Sequence, residues 1–429
     1  MTGIDSYYTR TLSDRGERSA LKGMLEVDVC VVGGGFAGLT TALELARAGR
    51  SVAVLDAETI GWGASGRNGG FVSPGYARGR SSLEALLGAE PARHLHDLSI
   101  EGVRIVADNI RDLDIAEAQR VDGILHVIRY HDPDSMLRKR DQLLTENGYR
   151  LDFWDTSTVR GKLVSRRYHQ ALYDPQAFHI HPLNYAKALG RAIEALGGRI
   201  FERSRAISTE LDGPSKRVRT ASGEVRAEHV VFACGGYTDG LVPLLTRSQL
   251  PIATYVMITE EAPERLAASL RTPAGVLDDR RASDYYRLVD RGRRLLWGGR
   301  ITTRTSEPHR LADMLRKSMV DVYPELDSVR IDGAWTGLMS YARHLMPQIG
   351  RLGPNVWHCL GFGGHGLNTT AIGGKVIAEA ITGSSDRIRH FEPFGLVWNG
   401  GPAGVAAVQL TYWHYQAMDW LRERRSATS

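Results

Sequence analysis

The chain has 429 residues, of which 42% are hydrophobic and 24% charged, and its 54 lysines and arginines against 49 acids leave a formal charge of +5. That is the composition of an ordinary soluble protein, long enough for two domains. The charge excess is small and unclustered, which argues against nucleic-acid binding, and no stretch approaches the roughly 18 apolar residues of a membrane span.

The N-terminal segment MTGIDSYYTRTLSDRGERSALKG lacks the apolar core of a signal peptide, and a cytoplasmic protein is expected. Cys30, Cys234 and Cys359 are far apart, each in an apolar run, the pattern of buried thiols in a reducing compartment rather than of a disulfide scaffold or zinc site. Glu26 to Val32 (EVDVCVV) reads as a strand buried on both faces, followed at once by Gly33-x-Gly35-x-x-Gly38 and a helical stretch stopped at Gly49. A second strand, Ser51 to Leu55, ends in Asp56. Strand, glycines, helix, strand and acid in this register form the dinucleotide fingerprint. Gly33 makes the tight turn, Gly35 admits backbone N–H groups (with Phe36 and Ala37) to the pyrophosphate, Gly38 lets helix and strand pack, and Asp56 accepts from a ribose.

A second glycine-dense loop follows, AETIGWGASGRNGGFVSPG, carrying Ala64, Ser65, Arg67, Asn68, Gly69 and Gly70. A nicotinamide site has no use for such a loop. A flavin does, because its ribityl chain, pyrophosphate and ring need a long bed of close backbone. FAD is therefore the expected cofactor, with Arg67 paired either to phosphate or to the pyrimidine edge of the ring. DVCVVGGGFAGLTTALELARAG, VLDAETIGWGASGRNGG and the Ser6-Tyr7-Tyr8 segment together resemble the D-amino-acid oxidase superfamily of flavoproteins. The likeness is greatest to its branch of γ-glutamylputrescine oxidase-like bacterial amine oxidases.

The resemblance implies an α/β (α+β) fold: a Rossmann-type FAD-binding domain (1–101, 169–242 and 333–429) interleaved with a mainly antiparallel-sheet substrate domain (102–168 and 243–332). His179 and His181, before Pro182, read as a helix entry and not as metal ligands; no metal is expected. Ala206 and Ile207 are placed at the cofactor, as are Cys234 and Gly235 in EHVVFACGGY, which resembles the superfamily's "ATG" element with cysteine for threonine. DYYRLVD and RLLWGGRI read as antiparallel strands and HRLADMLRKSMVDVYPEL as a helix ending near Pro324.

GFGGHG, residues Gly361, Gly363, Gly364, His365 and Gly366 with Phe362 between, repeats the fingerprint spacing before a helix that opens with Leu367. No strand ending in an acid follows, so it is not a second nucleotide site. Under the flavin reading its helix aims N–H groups at the C2 carbonyl of the same flavin.

The resemblance implies oxidation of the C–N bond of a small amine or amino acid, with hydride transfer to flavin N5, imine hydrolysis and reoxidation by O2 to H2O2. The alternative is a dehydrogenase that hands its electrons to a quinone or other acceptor. Relatives of the sarcosine-oxidase type carry a lysine over the ring, and this chain has none between Lys216 and Lys317. Arg300 or His365 is the candidate substitute charge. His365 is either catalytic or simply packed beside the ring, and Arg300 and Arg343 are either substrate anchors or surface groups. Tyr255, Tyr285, Tyr286, Trp297, Trp335 and Tyr341 are candidate pocket walls. QLTYWHYQAMDWLRERR reads as a helix docked on its own protein or, under the alternative, against a membrane.

Overall fold

Residues 29–32 are all buried, so the strand Gly23–Val32 must be covered on both faces, the usual condition of a parallel sheet. The computed structural model describes residues 5–280, 284–303 and 310–427, leaving aside the side chains of 300, 301 and 424–427. In it, Gly23–Val32 pairs in parallel with Val52–Leu55 on one side and Gly223–Phe232 on the other. Arg199–Phe201 continues the parallel order past Val52–Leu55, and Val356–Leu360 continues it past Gly223–Phe232. Gln348–Gly353 closes that edge in antiparallel sense. Val29 and Val31 pack with helices Phe36–Arg47, Pro182–Ala195 and Gly366–Thr382, whereas Cys30 and Val32 face Val218 and Leu245 on the opposite side.

The second sheet, nine strands among the described residues, runs Ile331–Ala342, Gln249–Thr259, Arg294–Thr302, Tyr285–Val289, Gly275–Asp278, Val121–Val127, Ala171–His179 and Phe71–Val72, with Asp152–Trp154 paired beside Ala171–His179. Every pairing is antiparallel except Gly275–Asp278 with Val121–Val127. Helix Leu311–Val322 covers its far face over Tyr286 and Trp297, whose rings stack at 4.2 Å.

Three strands from segments expected in the nucleotide-binding part are paired in the second sheet, Phe71–Val72 among them. Ala171–His179 and Ile331–Ala342 open the segments assigned to the nucleotide-binding part, yet both are hydrogen-bonded within the second sheet. The division between interleaved domains passes here through paired strands, which carry no polar linker to mark it.

One side chain fastens the glycine-rich loop to the second sheet. Arg287, 4% exposed, donates from Nε to Gly69 O at 2.6 Å and from Nη2 to Ile180 O at 2.7 Å and to the Tyr8 hydroxyl at 3.1 Å. Its Nη1 lies 3.2 Å from His179 Nδ1, and the Tyr8 hydroxyl in turn donates to Asn68 O at 2.7 Å. The Arg287→Met variant should lose about 2–4 kcal/mol of unfolding free energy, because buried carbonyls would be left without their charged donor. Arg287→Lys should recover little, since an ammonium cannot reproduce the planar fork. Denaturant unfolding measures both, and an unaltered midpoint in Arg287→Met would show that these contacts carry no net stability.

Candidate active site

Where the first strand ends, the backbone turns through Gly33 at φ +110°, and a Cβ there would lie 2.7 Å from Ala233 O. A Cβ on Gly38 would lie 1.9 Å from Gly33 O, so only glycine lets helix Phe36–Arg47 start this close to the strand. The first N–H groups of a helix lack intrahelical acceptors. That of Phe36 goes to Ser65 Oγ at 2.9 Å, and Gly35, Phe36 and Ala37 all line a cavity of about 1240 Å³. The positive end of the helix is thus turned on that cavity, the arrangement that binds a pyrophosphate.

Asp56 also lines it, with Oδ2 accepting from Gly34 N at 2.7 Å and Oδ1 from Glu58 N at 2.8 Å. Burial raises its carboxyl to about 6 against those two hydrogen bonds. Ala206, Cys234 and Gly235 border the same end. From there the cavity runs past Ala64, Ser65, Arg67, Asn68 and Gly69 to Gly363, Gly364, His365, Gly366 and Leu367. The Arg67 guanidinium stacks over Trp62 at 4.0 Å. Asn68 holds the loop together, donating to Ala64 O and Ser65 O at 3.0 and 2.9 Å and accepting from Gly70 N at 2.7 Å. The residues present fit FAD: a glycine cradle, a helix N-terminus and an acid at one end, and a second glycine turn with its helix at the other. The volume exceeds the roughly 300–1000 Å³ of an ordinary ligand pocket, leaving room for a dinucleotide and a small substrate together.

Several expected contacts fall elsewhere. Gly38, Gly70 and Gly361 do not line the cavity; Gly70, at φ +80°, packs against Ile180 O, and Gly361, at φ +77°, against Gln348. Ile207 is 58% exposed, its N–H bonds to Arg219 O in a hairpin, and its neighbour Ala206 lines the cavity while it does not. Tyr255 lies in the core behind the second sheet with Trp297 and Tyr286, because alternate residues of Gln249–Thr259 point to opposite faces, and it is Thr254 that reaches the cavity. Trp335 donates from Nε1 to Arg67 O at 3.0 Å, buttressing the loop. Arg300 sits at a register shift of its strand, and its side chain lies outside the described residues. Arg343 lies exposed at the rim, with no partner among the described residues.

The chamber beyond the glycine turn is walled by Tyr285, Tyr341, Thr254 and Phe71, with the Tyr285 hydroxyl 3.3 Å from Thr254 Oγ1. Burial pushes the Tyr341 phenol up to about 12 and the His365 imidazole down to about 4. Two contributors were not anticipated. His126 enters from Val121–Val127, where it is the one polar residue in the run Ile124 to Ile128, a signal that sequence could have supplied. Helix Gly401–Ala427 lends Ala403, Gly404, Ala407, Val408, Thr411 and Tyr412 to the wall.

Residues 28–380 match the family described as "FAD dependent oxidoreductase" (DAO). The chain is 34% identical over 388 residues to the Gamma-glutamylputrescine oxidoreductase of Escherichia coli (strain K12), covering 90% of this chain and 91% of that one. It is 30% identical over 427 residues to a probable oxidoreductase of Haemophilus influenzae, covering 98% of each. Among solved structures, glycine oxidase from Geobacillus kaustophilus superposes with a TM-score of 0.73 at 18% identity, covering 87% of this chain and 99% of that one. L-proline dehydrogenase from P. horikoshii superposes with a TM-score of 0.72 at 17% identity, covering 88% and 100%.

Gly35→Val should yield protein without bound FAD, since even a Cβ there lies 3.0 Å from Ser65 Oγ and the added methyls would fill the cradle. Protein purified yellow at full stoichiometry would place the cofactor elsewhere. Asp56→Ala should weaken FAD binding by about 1–3 kcal/mol, the range for a charged hydrogen-bond partner, as read by titration of the apoprotein.

Proposed function

The chain belongs to the DAO family of FAD-dependent oxidoreductases, and on that premise we propose that it oxidises the C–N bond of a small amine or amino acid. The carbon gives up a hydride and the nitrogen its proton, and the imine is hydrolysed by water to a carbonyl compound and an amine. Bound FAD supplies the hydride acceptor and, on reoxidation by O2, hydrogen peroxide. The observation that carries this reading is the continuity of one cavity, from the glycine cradle and Asp56 to a chamber of aromatic side chains beneath the second sheet. No second nucleotide module is present in the described residues to deliver electrons, so they come from the substrate. The name of the Escherichia coli relative points to the same class of substrate.

Tyr285, Tyr341 and Phe71 would strip water from the reacting nitrogen, which favours the neutral amine that can release a hydride. Arg343, at the rim, would hold a polar group of the substrate. His365 and His126 are poor general bases, because burial lowers the first to about 4 and the second to about 3, leaving both neutral at any pH above those values.

Anaerobic mixing with an oxidisable amine should bleach the flavin band, and air should restore it with release of one peroxide per amine. A broad amine and amino-acid panel that never reduces the flavin would overturn the proposal. The reduction rate should rise with pH along the ionisation of the substrate amine; an inflection at about pH 6.5, the range of an ordinary histidine, would assign a base to the protein instead. The second reading, a dehydrogenase serving a quinone, has one observation in its favour: Leu410, Trp413 and Trp420 stand exposed on the outer side of helix Gly401–Ala427. Flavin reduction without peroxide, with turnover rescued by a quinone dye, would favour it.

A further inference from the structure

Helix Gly401–Ala427 walls the cavity with one face, setting Ala403, Ala407, Thr411 and Tyr415 on successive turns with Val408 and Tyr412 beside them. Yet none of its side chains from 401 to 423 is buried, whereas helix Gly366–Thr382 buries most of its length. The lining side chains of its first half are small, so packing there removes little apolar surface from water. An α-helix also satisfies its own backbone, and moving it as a body breaks side-chain contacts only.

The two ends of the helix are tied in different ways. Before its start, Asn399 is fixed to the body, its N–H donating to Arg247 O at 2.8 Å and its Nδ2 to Gln249 O at 2.5 Å. Gly400 at φ +88° and Gly401 at φ +55° follow, a pair that can absorb a change of direction at an element's end. Midway, Gln409 Oε1 accepts from the Thr302 and Thr303 hydroxyls, each at 3.1 Å. Thr302 is paired with Ala253, the neighbour of the cavity-lining Thr254, so this contact lies over the chamber. At the far end, Glu423 lies 3.7 Å from Arg129, and the Arg422 guanidinium stacks over Tyr130 at 4.3 Å. Arg129 is served as well by Asp278 at 2.9 Å, Asp284 at 3.2 Å and Asp321 at 3.5 Å. Glu423 therefore makes the longest of its ion pairs among the described residues, and its departure leaves that buried guanidinium paired.

We propose that helix Gly401–Ala427 is a lid on the cavity. It turns about Gly400 and Gly401, with Gln409 and Glu423 as its latches, to admit a small molecule and then to shut water out. The inference rests on the geometry of the cavity and its wall, and holds whichever small molecule reacts there. A chamber that must be dry during reaction and open between turnovers needs one wall that moves, and this is the wall least committed to the core.

The test uses full-length, FAD-loaded protein with nitroxide labels at Met418→Cys on the helix and Leu144→Cys on the body, both exposed positions. The unsubstituted protein, in which Cys30 and Cys359 are buried, gives the labelling background. Pulsed electron paramagnetic resonance should read two distances, a closed one and a longer open one. Gln409→Ala combined with Glu423→Gln should raise the open population about threefold or more, as loss of a hydrogen bond and a partly exposed ion pair requires. Raising salt from about 0.05 to about 0.5 M should act in the same direction on the wild type and only weakly on the double variant, since the ion pair is what salt screens. Dithionite must enter the cavity to reduce the flavin, so its second-order rate should rise in step with the open population. A single distance that neither the variants nor salt changes overturns the proposal. Two distances whose weights stay fixed in the double variant remove the latches, and weights that shift while the dithionite rate does not remove the gate.

Discussion

A buried guanidinium that meets no carboxylate among the described residues sets the relation of the two sheets. Arg287 is satisfied by carbonyls and neutral groups only: Gly69 O, Ile180 O, the Tyr8 hydroxyl and His179 Nδ1. A buried charge is tolerable only when its donors are used, so the four groups are held where that fork needs them. Gly69 belongs to the loop that lines the cavity, Ile180 to the chain entering helix Pro182–Ala195, and Tyr8 to the N-terminal turn. The glycine-rich loop along the cavity and the second sheet are thereby located by the same side chain. The loop is stiffened further by Asn68 and by Trp335, and its geometry follows from the second sheet as much as from its own glycines.

Within the cavity the two ends differ in chemistry. The cradle end is built from backbone: positive-φ glycine, a helix N-terminus, and a carboxylate fixed by two N–H groups. The chamber end is built from side chains of both sheets, aromatic and imidazole, with weakly ionised groups held neutral by burial. The first arrangement suits a large invariant ligand held by its phosphates. The second suits a smaller one that must shed water before it reacts.

The backbone-built end is what sequence reading could reach. Gly33, Gly35, Gly38 and Asp56 are identifiable because their roles require a residue type at a fixed spacing, and the strands and helix around them follow from hydrophobic period. The same logic separates GFGGHG from a second nucleotide site, since no strand and acid follow it. Positions chosen by tertiary pairing were out of reach. Tyr255 and Thr254 are neighbours in one strand, and which of the two faces the cavity depends on the register against Arg294–Thr302, bulge included. Arg287 reads as one more arginine in an alternating strand until its acceptors arrive from segments more than 100 residues away. Ile207 was placed by likeness alone, and the hairpin with Arg219 turns it to solvent. Helix Gly401–Ala427 shows almost no preferred face in its sequence, because one side lies against the cavity and the other carries exposed aromatics.

That last helix has a bearing on how the protein is made. The parallel sheet is seeded by Gly23–Val32 and Val52–Leu55, available early in synthesis, but Val356–Leu360 must find Gly223–Phe232 across more than a hundred intervening residues. Such long-range pairing is slow and leaves a strand edge bare meanwhile. The cavity wall is later still: it includes Ala403, Ala407, Thr411 and Tyr415. The cradle end itself needs Ala206, Ala233, Cys234 and Gly235, so it can be complete only once those residues are made, and still before the helix Gly401–Ala427 that encloses the cavity. The wall that closes the cavity is thus the last part of it to leave the ribosome.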